Sequence, residues 1–348
     1  MKKLFSIILV AFLIISGASI TNSGKSNAEG RFAVSRTSGP NRYATAYFAS
    51  SVFINKNPRQ LGVIAYGDDF KTALSASYMA TALEAPYFIY DNKKLPQYTI
   101  DDMKRLGVKK IYIVGDYRKV NKKLEQELRN ININYERLYL TESQIDDGDS
   151  FDGMINWKIA KILYGDDATI GDTSSTILIN KDKFADLLSV VPFAGITAGK
   201  YGYYLFDYPR DIGDNIGWEY GFIIGGYNSV PKKFRAVNYP DGFNPVNSRI
   251  SGRDRYLTAI QIAKKYKMYF KTNPTTVVLV DGTRFPDALS SGVVANAKGG
   301  VVLLTQPNKL NKDTRDYLVN NKNIKEVIII GGEKSVSNQV YNELLKIK

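Results

Sequence analysis

The chain of 348 residues contains neither cysteine nor histidine. Without cysteine it has no disulfides and no thiolate metal ligands, so its stability has to come from packed apolar cores. Without an imidazole or a thiolate, the sequence excludes a Ser-His-Asp or Cys-His triad and the usual zinc site of a secreted hydrolase. Most peptidases and zinc amidases are therefore excluded. A glycosidase stays open, because it needs only two carboxylates.

Long apolar runs are also scarce, and the clearest one is at the start of the chain. Leu4–Ile15 is apolar and follows Lys2 and Lys3, which is the layout of a secretory signal peptide. The run is shorter than the ~20 residues of a comfortable membrane span. We place the cleavage site after Ala28, so residues 1–28 are expected to be removed. This takes away three lysines and no acidic residue, so the net charge of +13 falls by three in a basic, secreted protein without a membrane span.

Internal repetition is the main feature of the remaining sequence. Ser35–Ala46, SRTSGPNRYATA, returns without a gap as Ser248–Ala259, SRISGRDRYLTA. Downstream, FKTALS at 70–75 aligns with FPDALS at 285–290, and a middle copy, FADLLS, starts at Phe184. Each third of the chain also has an apolar strand that ends at a glycine, with a valine five positions later: Gly115 and Val120, Gly225 and Val230, Gly331 and Val336. The simplest interpretation is three divergent copies of one module.

The third copy shows the expected secondary structure most clearly. An opening helix is predicted at Arg253–Lys267, with Ser251 as its N-cap. Three strands and three further helices are then predicted, namely strands Thr276–Val280, Gly300–Thr305 and Glu326–Ile330, and helices from Pro286, at Lys312–Asn321 and at Ser337–Lys346. Strands that are apolar on both faces and alternate with helices indicate parallel βαβ units. The sequence therefore predicts an α/β fold.

The three copies set the expected domain limits. Region one is residues 29–138, region two 139–247 and region three 248–348, each the size of a domain that can bury its own core. Region two has lost the opening motif and carries the acidic stretch Ile145–Gly153 in its place. The segment Tyr239–Pro245, YPDGFNP, is typical of a linker into region three.

Together these motifs match a known pattern. The sequence R-x-S-G-x-x-R-Y-x-T-A, then F-x-D-A-L-S, then an apolar run ending in G-G resembles the type 2 cell-wall-binding (CWB2) repeat of clostridial and related Gram-positive surface proteins. The resemblance covers essentially the whole mature chain and is weakest in region two. It implies three tandem Rossmann-like modules with parallel sheets flanked by helices, in a pseudo-threefold arrangement. It also implies noncovalent anchoring to an anionic wall polysaccharide. Many family members add a separate enzymatic or adhesive domain, for which this chain is expected to have no room, so we expect neither enzymatic activity nor a cofactor.

Candidate polymer-binding residues come from the Arg-Tyr pairs of the opening helices, Arg42-Tyr43 and Arg255-Tyr256. Each arginine lies one turn before an alanine of the apolar stripe of its helix. A guanidinium there fits a phosphate or carboxylate of the polymer. We favour the alternative, an ion pair that locks the helix to a neighbouring module, because buried arginines are usually paired within the protein. Tyrosine suits both sugar stacking and half-buried interfaces.

Three other residues and two Gly-Gly pairs also invite a functional interpretation. Arg36 and Arg249 precede the helices and are expected to be exposed, in contact with polymer or with solvent. Asp287 invites a catalytic role beyond a strand end. We favour a structural role, because Asp287 offsets a helix dipole and Thr72 replaces it in region one. The Gly-Gly pairs lack the spacing of phosphate loops.

Three functions follow from the sequence. The leading one is anchoring to a wall polyanion, with two competent sites because region two lacks the Arg-Tyr pair. The alternatives are a carboxylate-based hydrolase of wall glycan, and a structural component of a surface layer or an adhesin, whose partners would include other surface-layer proteins. Nucleic-acid binding would explain the charge but not the export signal, and its aromatic-basic motifs are missing.

Overall fold

The computed structural model describes five stretches of the chain: residues 30–139, 151–165, 175–208, 219–236 and 249–348. The expected signal peptide, most of the acidic stretch that replaces the opening motif of region two, and the expected linker before region three lie outside these residues. In the described part of the chain, no helix is both long and apolar enough to cross a bilayer.

Region one alternates strands and helices throughout. Its strands β2 to β4 are buried on both faces, as the continuous apolar runs predict. The elements are β1 Ala33–Thr37, α1 Arg42–Phe53, β2 Leu61–Tyr66, α2 Phe70–Ala82, β3 Tyr87–Tyr90, α3 Gln97–Arg105, β4 Lys110–Val114, α4 Lys123–Asn130 and β5 Asn134–Leu138. The helices therefore cover a sheet that is apolar on both sides.

Region two keeps the same alternation with shorter strands. Its central helix is apolar nearly all round and is buried from Ala185 to Gly195. The described elements are α5 Phe151–Tyr164, β6 Thr176–Ile179, α6 Phe184–Tyr201, β7 Tyr204–Asp207, β8 Glu219–Tyr220, β9 Phe222–Ile224 and β10 Arg235–Ala236.

Region three follows the predicted element order. Its elements are β11 Arg249–Ile250, α7 Arg255–Phe270, β12 Thr276–Asp281, a 3-10 turn Pro286–Ala288, α8 Ser291–Ala297, β13 Val301–Thr305, α9 Lys312–Asn320, β14 Glu326–Ile330 and α10 Asn338–Leu345. The predicted N-cap was wrong. Asp254, not Ser251, caps α7, since its side chain accepts a hydrogen bond from the N–H of Leu257 at 2.9 Å.

Three four-stranded parallel sheets share one strand order. They are β3-β2-β4-β5, β7-β6-β9-β11 and β13-β12-β14-β1. In each sheet β2, β6 or β12 lies between two later strands of its own region, and a fourth strand, β5, β11 or β1, is added at the outside. The predicted α/β class with parallel sheets flanked by helices is confirmed. The middle copy, degenerate in sequence, has the same sheet.

Two outer strands link region three to both of its neighbours, and the contact between α2 and α6 closes the ring of regions. β1, at the start of region one, pairs in parallel with β14 of region three, so that Ala33 lies opposite Glu326 and Thr37 opposite Ile330. β11, at the start of region three, likewise completes the sheet of region two. Strands therefore cross the domain limits drawn from the sequence, and those limits stay a prediction.

Three helices, one from each region, meet at the centre of the ring. α2, α6 and α8 contact one another in pairs. The close approach depends on two glycines. A Cβ atom on Gly195 would lie 2.3 Å from Cγ2 of Thr81, and one on Gly292 would lie 2.3 Å from Cγ1 of Val191. Because no side chain intervenes at these points, one continuous apolar core includes residues of all three sheets.

Candidate functional site

The repeated opening motif builds a fixed start for α1. Asn41 caps the helix by accepting from the N–H of Ala44 at 3.0 Å, and the N–H of Gly39 donates to Oγ1 of Thr45 at 2.9 Å. The same two contacts recur at α7, where Asp254 caps Leu257 and Gly252 donates to Thr258. The conserved spacing within the chain thus places Arg42 and Arg255 at the first position of their helices.

Arg42 contacts two regions at once. Its Nη1 donates to the carbonyl of Gly67 at 2.8 Å and pairs with Asp68 at 2.5 Å, both within region one. Its guanidinium carbon lies 5.8 Å from the centre of the Phe285 ring in region three. The ion pair therefore lies within region one, and the contact with the neighbouring region is a cation–π contact. The Arg42 side chain keeps 24% of its surface exposed.

Arg255 repeats this arrangement one step around the ring. Its Nη1 donates to the carbonyl of Gly282, and its guanidinium carbon lies 5.5 Å from the centre of the Phe184 ring in region two. Arg255 is exposed. In both cases an arginine of the opening helix contacts a phenylalanine of another region. Region one contacts region three in this way, and region three contacts region two.

Three phenylalanines meet where these contacts converge, and we call them the central cluster: Phe70, Phe184 and Phe285. The ring centres are 5.2 Å apart for Phe70 and Phe285, and 6.2 Å apart for each of the other two pairs. All three rings are half-buried. They follow β2, β6 and β12, at the carboxyl ends of parallel strands, where α/β sheets commonly bind ligands.

The two tyrosines of the Arg-Tyr pairs pack over glycines of the strand ends. A Cβ atom on Gly67 would lie 2.9 Å from Cε1 of Tyr43, and one on Gly282 would lie 3.0 Å from Cε1 of Tyr256. Burial, with a smaller effect of the Asp68 charge, raises the pKa of Tyr43 to about 12. Burial likewise raises the pKa of Tyr256. Both phenols are therefore neutral hydrogen-bonding groups at physiological pH.

Region two differs at this glycine position. Its counterpart of Gly67 and Gly282 is Lys181, which is fully buried. Since even a Cβ atom would press on the tyrosine ring in the other two regions, a tyrosine cannot pack there in the same way. The loss of the Arg-Tyr pair and the presence of Lys181 are thus compatible changes.

Arg36 and Arg249 are not exposed as expected. Arg36 is 7% exposed and donates to the carbonyl of Gly331 at 2.8 Å. Arg249 is half-buried and donates to the carbonyls of Gly225 and Val230 at 3.0 and 2.9 Å. The expectation of exposure was wrong because these residues lie in the outer strands β1 and β11, beside the loop that follows the adjacent strand, β14 or β9, of the same sheet. Burial lowers the pKa of both guanidinium groups.

Arg137 holds the matching place in the first sheet, and no sequence motif marked it. It donates to the carbonyls of Gly115 and Val120 at 2.9 and 2.8 Å and pairs with Glu125 at 2.7 Å. Its guanidinium carbon lies 4.3 Å from the centre of the Tyr117 ring. The available signal was the glycine-to-valine spacing, since each such loop receives one arginine.

Asp287 serves a structural contact. The hydroxyl of Ser335 donates to Asp287 Oδ2 at 2.5 Å, which ties the start of the central helix to the loop after β14. In region two the hydroxyl of Ser229 donates to Asp186 Oδ2 at 3.1 Å in the same way. In region one, Thr72 donates instead to Asp69 at 2.8 Å. These contacts support the structural interpretation of Asp287.

The pKa values of two carboxyl groups near these loops are shifted in opposite directions. Burial raises the pKa of Asp186, against smaller lowering effects of Ser229, Arg255 and Lys183. Burial also acts to raise the pKa of Asp116, but hydrogen bonds from Arg118 and two backbone amides outweigh it and lower the pKa. The charged form of Asp186 is thus disfavoured in the folded protein, whereas that of Asp116 is favoured.

The pH dependence of stability should have opposite signs for these two carboxyl groups. The contribution of Asp186 is present below its unfolded pKa of about 3.9 and is lost as the pH rises through the higher folded pKa. The contribution of Asp116 is present above about 3.9 and is lost as the pH falls through the lower folded pKa. We expect Asp186→Asn to gain melting temperature relative to the parent as the pH rises towards neutral, and Asp116→Asn to lose it. Differential scanning calorimetry over pH checks this, and slopes of the same sign would contradict it.

A cavity of about 880 Å³ lies between regions one and three, away from the Arg-Tyr pairs. Its walls include Phe53 at the end of α1, Glu84 after α2 and Lys298 after α8. α1 has 12 residues and α7 has 16, and the extra turn of α7 places Phe270 against region two. The cavity is thus at the carboxyl ends of helices whose amino-terminal ends form the site.

The fold and the site define a class of protein, namely a repeat-built α/β protein with arginine-tyrosine pairs around a shared aromatic centre. The family model for cell wall binding domain 2 (CWB2) matches residues 36–125 and 249–341, which together are more than half of the chain. The chain belongs to this cell-wall-binding family, and the membership predicted from the sequence is confirmed. The family matches lie in regions one and three. Support for region two as a further copy comes from its sheet, which has the same strand order as the other two.

Curated relatives extend beyond this chain. It is 26% identical over 319 residues to the N-acetylmuramoyl-L-alanine amidase LytC of Bacillus subtilis (strain 168), covering 89% of this chain and 58% of that protein. It is 35% identical over 185 residues to the amidase enhancer of the same organism, covering 50% of this chain and 23% of that protein. The chain thus spans less than two thirds of each relative.

Two solved structures have the same fold. Cwp8 and Cwp6 from Clostridium difficile each superpose with a TM-score of 0.68, at 21% and 19% identity. The alignments cover 90% of this chain in both cases, and 52% of Cwp8 and 47% of Cwp6. At these identities the similarity shows a common architecture.

Proposed function

We propose that this chain is exported by its first 28 residues and attaches noncovalently to the Gram-positive cell wall by binding an anionic wall polysaccharide. The observation that carries the proposal is the pair of accessible guanidinium groups, Arg42 and Arg255, that lie against rings of the central cluster. With Tyr43 and Tyr256 they form what we call the central site.

Arg42 and Arg255 have N–H donors that can bind an anion. In the described part of the chain, the hydrogen bonds of Arg42 and Arg255 start from Nη1. A guanidinium carries five N–H donors, so Nε and Nη2 stay available for a phosphate or carboxylate. The adjoining aromatic rings present apolar faces to a sugar. The site thus matches both parts of an anionic polysaccharide.

The predicted polymer contact of Arg36 and Arg249 has less support than that of the central pair. Their guanidinium groups are engaged with main-chain carbonyls of the loops that follow the adjacent strands. In this proposal they hold the loops that surround the site. Two central arginines on one rigid body give avidity along a repeating polymer, because the second contact is intramolecular.

Co-sedimentation with purified cell walls tests the proposal. We expect the mature protein to pellet with intact walls, to stay in solution with walls stripped of anionic polymer, and to be released by salt, because exposed charge contacts are screened. Equal binding to intact and stripped walls, or no binding to either, would refute the proposal.

We further propose that the chain holds the wall without cleaving it. The carboxylate of Asp287, the strongest candidate acid in the sequence, is held by Ser335 in a contact that recurs at Asp186. Incubation with purified wall should release no reducing ends. Assembly of the mature protein into an ordered lattice on the wall would favour a surface-layer component with other surface-layer proteins as partners.

A further inference from the structure

Four exposed lysines lie at the carboxyl edge of the first sheet, two in the loop after β3 and two at the start of α4, and we call them the basic edge: Lys93, Lys94, Lys122 and Lys123. They follow β3 and β4. Within the described residues, their ammonium groups form no hydrogen bond and no ion pair. They are therefore charges that nothing within the described part of the protein neutralises directly.

Two asparagines hold the loops of the basic edge together. The N–H of Asn121 donates to Oδ1 of Asn92 at 3.0 Å, and Nδ2 of Asn121 donates to the carbonyl of Asn92 at 2.6 Å. Nδ2 of Asn92 donates to the carbonyl of Lys119 at 2.7 Å. Each asparagine directly precedes a pair of lysines. The two lysine pairs are thus fixed side by side by hydrogen bonds that leave their own side chains unengaged.

Within the described residues, no internal contact offsets this concentration of positive charge. Like charges repel, and Lys122 and Lys123 stand at the start of α4, where the helix dipole is already positive. The neighbouring carboxylates have other partners: Glu127 accepts from the N–H of Leu95, Asp116 pairs with Arg118, and Asp91 accepts from the N–H of Lys93. A cluster that works against the fold without an internal partner is a signature of a functional surface.

The basic edge belongs to the same surface as the central site. Lys119 in the loop after β4 pairs with Asp69 at 2.9 Å, and Asp69 directly precedes Phe70 of the central cluster. Its neighbour Asp68 pairs with Arg42. Since all strands of the sheet are parallel, the loops after β2, β3 and β4 share one edge. A continuous surface therefore leads from Arg42 to the lysines.

Region three lacks this charge. By the alignment of the strand ends, the four positions of the basic edge correspond there to Asn308, Lys309, Asn338 and Gln339. One lysine thus stands where region one has four. The surface that leads outward from the centre is more positive over region one than over region three.

We infer that the wall polyanion runs from the central site across the basic edge of region one, where its repeating phosphate or carboxylate groups find a second set of contacts. This inference rests on the proposed function. It adds a direction and a second contact strip that the Arg-Tyr pairs do not define.

The test replaces all four lysines of the basic edge by glutamine. A matched control replaces four exposed lysines elsewhere, so that both variants have the same net charge: Lys264, Lys267, Lys322 and Lys325. Affinity for purified walls is measured over a range of salt concentrations. We expect the basic-edge variant to bind about tenfold more weakly and with a shallower salt dependence, since it has lost several exposed charge contacts. The control should bind as the parent does.

Several outcomes decide the inference. Unchanged affinity of the basic-edge variant, or equal losses in both variants, would overturn it while leaving wall binding by the parent intact. Absence of binding by the parent would remove the proposed function itself. A variant with arginine at the four positions keeps the charge and should restore binding. Melting temperatures of all variants show whether a loss of binding comes from a loss of fold.

Discussion

Replacing Arg137 by alanine is expected to lower the free energy of unfolding by about 3–5 kcal/mol, because it leaves the carboxylate of Glu125 buried without its partner. The side chains of Arg137 and Glu125 are 4% and 6% exposed. The substitution also removes the donors to the carbonyls of Gly115 and Val120. Urea denaturation followed by circular dichroism measures the change directly.

A surface arginine in the loop that Arg137 contacts provides the control. Arg118 pairs with Asp116 at 2.6 Å, but its side chain is 73% exposed. Its replacement by alanine should cost less, about 1 kcal/mol, because the carboxylate of Asp116 keeps hydrogen bonds from the N–H groups of Arg118 and Lys119 at 2.9 and 3.0 Å. Arg137→Lys keeps the charge but not the planar fork that reaches two carbonyls and a carboxylate, so an intermediate loss is expected. If Arg137→Ala were no worse than Arg118→Ala, the loop contact would have no role in stability.

Local patterns were sufficient for most of the secondary structure. The run Glu326–Ile330 was predicted as a strand and is one, because β-branched residues between polar ends fit a buried strand and little else. The start of α7 was misplaced because Ser251 and Asp254 are both good N-caps. The N–H of Gly252 donates to Oγ1 of Thr258. This contact fixes a turn at Gly252, so that the helix begins after Asp254.

The ring closure could not be predicted from such patterns. The strand β1 has an ordinary composition. The residues Ala33–Thr37 carry no signal that their partner strand is Glu326–Ile330, at the other end of the chain. For the same reason Arg36 was expected to be exposed. Its burial depends on a carbonyl at Gly331 that lies close only when the ring is closed.

The candidate site was predicted in part. The Arg-Tyr pairs were identified because they repeat, and the phenylalanines at 70, 184 and 285 were seen as markers of the three copies. Their meeting point is a property of the relative placement of three regions. Their repetition marks the three copies but does not tell which residues of different copies are in contact, so the central cluster required the structure.

Replacing Arg42 and Arg255 by alanine separately should weaken wall binding about tenfold to a hundredfold each, because each loses charge-assisted hydrogen bonds to the polymer. The double variant should fall to background, since it also loses the avidity of two contacts on one body. Stability should change by about 1 kcal/mol or less per residue, because the Arg42–Asp68 pair and the Arg255 side chain stay open to solvent.

The measurement is co-sedimentation with purified walls beside thermal unfolding of the same samples. Alanine at Arg59 and Arg315, both exposed, gives a control of equal net charge that should bind normally. The two interpretations of the central arginines then separate. Loss of binding at an unchanged melting temperature means that the guanidinium groups hold the polymer. A fall in melting temperature with binding in proportion to the folded fraction means instead that they hold Phe285 and Phe184, and with them the neighbouring regions, in place.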